Sequence, residues 1–239
     1  GSYTTYNQEP FWNSQGEMNL NNVTAECRDG LAVTNRMGTM IIDGGSYKSI
    51  NSTAIYNNRG GEMTIEGKPE VVAPNGVALC SGVVTVEGGS FSGGNGSYSD
   101  SYWESAKSAV CNGKSSKMTI TGGTFTGTDR ADAIVNNGEM HIANATVDAK
   151  NGSALKNQYL SGGKYSASTK IISGTFKDSA KGIDLQSGSV VLKNAEFSGN
   201  GADIYLNTGK QITIEETFDH NATVDCADPE DGRQLTTAT

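Results

Sequence analysis

The chain has 239 residues, of which 35% are hydrophobic and 18% charged, with 31 glycines and only 4 prolines. That combination argues against a disordered chain and for many short elements joined by tight turns, where Gly and Asn take up positive φ cheaply. A net charge of −8, from 18 basic against 26 acidic residues, excludes a basic field for nucleic acid or anionic lipid. No stretch reaches the roughly 18 apolar residues of a membrane span, so no membrane insertion is expected.

Residues 1–25 are expected to form an N-terminal cap, with Tyr6, Phe11 and Trp12 covering the end of whatever follows. Gly1-Ser2 has the form of a scar left by a cleaved tag, and any secretion signal or wall anchor would lie outside the sequence. Met18-Asn19-Leu20 is a degenerate strand within this segment. From there a phrase recurs: Met40-Ile41-Ile42-Asp43-Gly44-Gly45-Ser46-Tyr47, Met63-Thr64-Ile65-Glu66-Gly67, Val84-Thr85-Val86-Glu87-Gly88-Gly89-Ser90-Phe91 and Met118-Thr119-Ile120-Thr121-Gly122-Gly123-Thr124-Phe125. Weaker copies start at Met140, Ile171, Val190 and Ile212. The closing apolar residues, Tyr47, Val71, Phe91, Phe125, Val147, Phe176, Phe197 and Phe218, are separated by 24, 20, 34, 22, 29, 21 and 21 residues, a basic period of about 21.

A second phrase precedes the first in each period: Ala32-Val33-Thr34-Asn35, Ala54-Ile55-Tyr56-Asn57, Ala78-Leu79-Cys80-Ser81, Ala109-Val110-Cys111-Asn112, Ala133-Ile134-Val135-Asn136 and Ala154-Leu155-Lys156-Asn157. One period therefore holds two or three strands of three to five residues. Alternation sends Met63 and Ile65 to one face and Thr64 and Glu66 to the other. No segment shows the 3.6 period of a helix. So short a strand cannot bury its own apolar face, but stacked coils pair every backbone group above and below. The predicted fold is all-β: a single-stranded right-handed parallel β-helix of about eight rungs over 26–218, with 219–239 as C-terminal cap or linker. The Asn residues at 35, 57, 112, 136 and 157 are expected to stack at one corner.

The Met-Thr-Ile-x-Gly-Gly-x-Phe and Ala-Ile-x-Asn phrases resemble the pectate-lyase-like β-helix superfamily, and in particular the Gly/Thr-rich surface proteins of Gram-positive gut bacteria. The resemblance covers about residues 26–218 and implies an extracellular bacterial setting, at the cell surface or secreted. Its phrases specify fold far better than activity.

Four cysteines in such a setting invite disulfides. Cys27 and Cys226 fall at opposite ends of the proposed rod, on the order of 40 Å apart, and cannot pair. Cys80 and Cys111 share a column on adjacent rungs, close enough to bridge. Two cysteines without matched histidines are no zinc site.

Catalytic signatures are missing: there is no G-x-S-x-G, P-loop, HExxH or CxxC. His141 takes an outward position and His220 lies past the last rung. Asp43, Glu66 and Glu87 fall in one outward column, where stacked carboxylates repel unless a cation relieves them, and hard oxygen ligands there would suit Ca²⁺. Related polysaccharide lyases use such a site with a nearby Arg or Lys as base. Arg36 and Arg59, however, read as lying on another side of the coil, and the paired-Asp and Arg-x-Lys phrases of polygalacturonase-like hydrolases do not occur. Thr64, Thr85 and Thr119 form an outward ladder, but the acidic column beside it spoils an ice-binding face.

Insertions speak more clearly. The 34-residue gap between Phe91 and Phe125 holds an extra segment near 93–104, with Tyr98, Tyr102 and Trp103 among Gly, Ser and Asp. A second, near 159–169, carries Tyr159 and Tyr165. Insertions in a solenoid leave its wall as loops, and this composition suits recognition surfaces. Both precede the Met-Thr-Ile strand of their repeat, so both are expected on one side of the rod. The sequence therefore points to a non-catalytic, monomeric, adhesin-type module for a host or dietary glycan or a host secreted glycoprotein. An immunoglobulin is one such glycoprotein, although no residue pattern singles it out. A calcium-dependent lyase and a passive stalk are the competing classes.

Overall fold

The computed structural model describes residues 1–58, 60–80, 82–94, 108–158, 166–215, 218, 220–230 and 233–238, and every regular element among them is a β-strand. Alternation decides the strands locally. In Glu62–Glu66, Met63 and Ile65 are buried while Thr64 and Glu66 stay partly exposed, and the same pattern recurs in Thr39–Asp43, Val83–Val86 and Lys117–Ile120. One turn of chain supplies three such strands, for example Ser46–Ser49, Ile55–Asn57 and Glu62–Glu66. Each pairs in parallel with its counterparts one turn before and after.

Three sheets result. Among the described residues the first holds nine strands and starts at Ser2–Thr5; the second and third hold ten each and start at Phe11–Asn13 and Glu17–Asn21. The protein is a parallel β-solenoid, as the repeat predicts. Its period in the first turns is 22 residues, from the register Ser2↔Thr24, Phe11↔Val33 and Met18↔Met40. About ten turns are present rather than eight. Residues 1–25, expected as a cap, contain a complete turn of their own, and Val224–Cys226 and Thr236–Ala238 add two strands beyond Ile212–Ile214. These end turns escape the motif because they keep alternation but lack the Gly-Gly phrase and its closing Phe.

Inside, side chains stack by type. The first sheet sends Tyr47, Val71, Phe91, Phe125, Val147 and Phe176 inward, all buried, with the rings of Phe91 and Phe125 stacked at 5.1 Å and 10°. The third sheet contributes Met40/Ile42, Met63/Ile65, Val84/Val86, Met118/Ile120 and Met140/Ile142. Between these sheets the Gly-Gly phrase is a steric necessity. Gly45 has φ +93°, and a Cβ there would collide with the backbone carbonyl of Val23 on the preceding turn. The corner after the second sheet is held by buried asparagines. Asn13 donates to Asn35 at 3.0 Å and Asn35 to Asn57 at 2.8 Å; farther along, Asn112 donates to Asn136 at 2.8 Å and Asn136 to Asn157 at 3.0 Å. The expected ladder is there, one rung longer at Asn13. No helix among the described residues is long and apolar enough to cross a membrane.

Candidate functional site

The second sheet is the unusual one. Elsewhere its outward neighbours would be solvated, yet Ser108–Asn112 is buried at all five positions, and Asp132–Asn136 at four of five. The x position of the Ala-Ile-x-Asn phrase points away from the core and forms a column in register: Trp12, Thr34, Tyr56, Cys80, Cys111, Val135, Lys156, Asp184, Tyr205 and Asp225. Its middle is apolar. Cys80, Cys111 and Val135 join Val77 and the edge of Tyr56 in a cluster separate from the main core.

Beyond Val135 the column turns charged, and a cleft of about 360 Å³ opens there, lined by Arg130, Asp132, Ser153, Lys156, Gln158 and Lys181 among others. Lys156 Nζ lies 3.5 Å from Asp132 Oδ2, and Lys181 Nζ lies 3.2 Å from Asp184 Oδ2. The same ammonium sits 3.6 Å above the ring of Tyr205, a cation–π contact. Asp132 Oδ1 accepts the Ser153 backbone N–H at 2.7 Å, and the Ser153 hydroxyl donates to Asp184 Oδ2 at 3.5 Å. The side chain of Asp184 is only 5% exposed and takes a further bond from Gln186 Nε2 at 2.5 Å. Three cations and two carboxylates thus converge on a protein surface that is otherwise net acidic. A wider depression of about 530 Å³ lies at the corner between the third and first sheets, but it brings together only Lys68 and Glu87 as charged groups.

No family model matches this chain, nor does any curated protein or solved structure with which it was compared. The site has to be read from its own geometry.

Tyr98, Tyr102, Trp103, Tyr159 and Tyr165 lie outside the described residues. The strands that flank them are described, and they revise the expectation of a shared side. The 95–107 segment connects Gly94, after the first sheet, to Ser108 at the start of the second; the 159–165 segment connects Gln158, after the second sheet, to Ser166 before the third. The two insertions therefore join at different corners, because one lengthens the turn before a second-sheet strand and the other the turn after one. Both nonetheless border the second sheet, and Gln158 lines the cleft.

The acidic column is real as a column. Asp43 and Glu66 are direct partners, and Glu87 continues the stack, its N–H bonded to the Ile65 carbonyl at 2.8 Å. Its groups do not converge on one point: Asp43 takes the Asn21 amide at 3.0 Å, and among the described residues no set of three or more His, Cys, Asp or Glu could hold a metal ion. Arg36 follows the second-sheet strand Val33–Asn35, a different corner from Asp43, and Arg59 lies outside the described residues. His141 stands outward between Thr119 and Lys170, its Nε2 3.7 Å from Glu139; His220 faces Phe218 at 6.0 Å. Thr64, Thr85 and Thr119 stack in register, bounded by Ile41 and His141. Sequence reasoning missed Asp132, Lys156, Lys181 and Asp184. The signal was available in the single outward position of the second phrase, where Cys and Val give way to Lys156.

Proposed function

We propose that this protein is a non-catalytic extracellular binding module of a bacterial surface protein, of adhesin type, that holds a glycan or a host secreted glycoprotein against the outer face of its second sheet. The observation that carries the reading is the cleft itself. Lys156, Lys181, Asp132 and the nearly buried Asp184 are paired with one another on strands of three successive turns, beside Gln158 at the edge of the second insertion. Paired charges of this kind contribute little net stability, so their gathering at one place on a repetitive wall fits recognition better than folding. Donors and acceptors fixed on strands suit sugar hydroxyls, and Tyr98, Tyr102, Trp103, Tyr159 and Tyr165 would supply faces for sugar C–H surfaces or protein hot spots. The resemblance to pectate-lyase-like surface proteins points the same way, toward the outside of a bacterial cell.

The test is binding of the purified protein to a mixed array of glycans and host secreted glycoproteins, with and without calcium. Trp103→Ala and Lys156→Gln should each weaken specific binding about tenfold or more, with melting unchanged. An array silent to the wild type would leave a stalk. Calcium-dependent release of unsaturated sugar products would instead establish the lyase.

A further inference from the structure

The outward column of the second sheet sets one cysteine directly beside another. Cys80 and Cys111 are Cα partners on adjacent parallel strands, Leu79–Cys80 and Ser108–Asn112. The preceding residues, Leu79 and Val110, are partners too and belong to the main core, so both thiols leave the sheet on the same, outer side. In-register neighbours on paired strands stand about 4.8 Å apart, inside the roughly 4.4–6.8 Å that a disulfide spans between Cα atoms. Both thiols are buried, the residues 3% and 4% exposed, and packed with Val77, Val135 and Tyr56. The other two cysteines are not neighbours of this pair: Cys27 belongs to the second strand of the first sheet, two turns before Cys80, and Cys226 to the last strand of the second.

We propose that Cys80 and Cys111 are a modification site, closed into a cross-strand disulfide by exchange with a small disulfide of the glutathione type. One thiol loses its proton and attacks the small disulfide, forming a mixed disulfide and releasing one small thiolate. The second cysteine, deprotonated in turn, attacks the protein sulfur of that mixed disulfide and releases the other small thiolate. The protein loses two protons and two electrons, and the oxidant gains both as two small thiols. The bridge ties the fourth turn to the fifth, where the spacing stretches to 34 residues and the chain between the two cysteines includes all of 95–107. A bridge 31 positions apart constrains the unfolded chain strongly. It also fastens the strand that begins at Ser108 to its neighbour, holding the base of the insertion.

The experiment is incubation of the reduced protein in a buffer of oxidised and reduced glutathione, both in the native state and during refolding from urea, followed by non-reducing peptide mapping and melting. A peptide pair joined through Cys80 and Cys111, lighter by two hydrogens, should form, and melting should rise by about 10 °C and fall back on reduction. Cys80→Ala and Cys111→Ala, each fitting an apolar cluster, should melt near the reduced wild type and show no rise. Glutathione adducts on both thiols without a cross-link, bridges through Cys27 or Cys226, or two thiols still open to alkylation after refolding would each overturn the proposal.

Discussion

Asn136 shows how much a single side chain carries in this fold. Its amide donates to Asn157 at 3.0 Å, to the Ser168 carbonyl at 3.0 Å and to the Thr169 hydroxyl at 2.8 Å, and its oxygen accepts from Asn112 at 2.8 Å and from Gly138 N–H at 3.0 Å. Asn136→Ala would leave buried donors and acceptors on two neighbouring turns without partners, a loss of about 2–4 kcal/mol in urea unfolding. Tyr47 is the opposite case. It is fully buried in the first-sheet column, and its hydroxyl finds no hydrogen-bond partner among the described residues. Tyr47→Phe should therefore be neutral or stabilising by about 1 kcal/mol. Burial, with a smaller contribution from the Asp43 charge, pushes the phenol up from 10.0 to about 12. Because the folded pKa is the higher one, the unfolded chain loses this proton first. Stability from Tyr47 is complete below pH 10 and drains away between pH 10 and 12, by on the order of 2 kcal/mol. Comparing urea unfolding at pH 9 and pH 11.5 should show a smaller drop in Tyr47→Phe than in the wild type.

At the scale of the element, the third-sheet strands place Asp43, Glu66 and Glu87 one above another. Like charges directly opposite on paired strands repel, by about 0.2–1 kcal/mol per contact, and the middle member faces both. Glu66→Gln should raise stability by up to about 1 kcal/mol at low salt, with the gain shrinking in 0.5 M NaCl as screening takes over. Urea unfolding at the two salt concentrations, with a calcium titration of each protein, reads both effects; wild-type stabilisation by calcium that Glu66→Gln lacks would make the column a metal site after all. Strand existence and facing were legible in the sequence because alternation needs only two-residue periodicity. The second sheet was read less well. Its phrase suggested one inward and one outward side, and nothing in Ala133-Ile134-Val135 says that the outward side is also shut off from water.

For the whole molecule, each turn touches only its neighbours, so stability is shared between adjacent turns and the ends have one neighbour fewer. Tyr3, Tyr6 and Trp12 in the first turn are 49%, 59% and 51% exposed, whereas the middle columns are closed. Hydrogen exchange should be fastest in Ser2–Asn21 and in Val224–Ala238, and slowest through Lys117–Asn157. Uniform protection along the rod would mean that the solenoid opens as one unit.

The sequence by itself determined the solenoid, its period, the inward columns and the asparagine corner, because all of these follow from residues repeated at a fixed spacing. It also marked where the repeat is interrupted. The tertiary structure alone decided what stands beside what when the partners differ in type. Asp132, Ser153, Lys156, Lys181 and Asp184 lie up to 52 positions apart, on three copies of the second phrase whose residue types differ; they meet only because three successive turns stack in register. The number of turns was decided there too, since an end coil needs no motif to pair with the coil next to it.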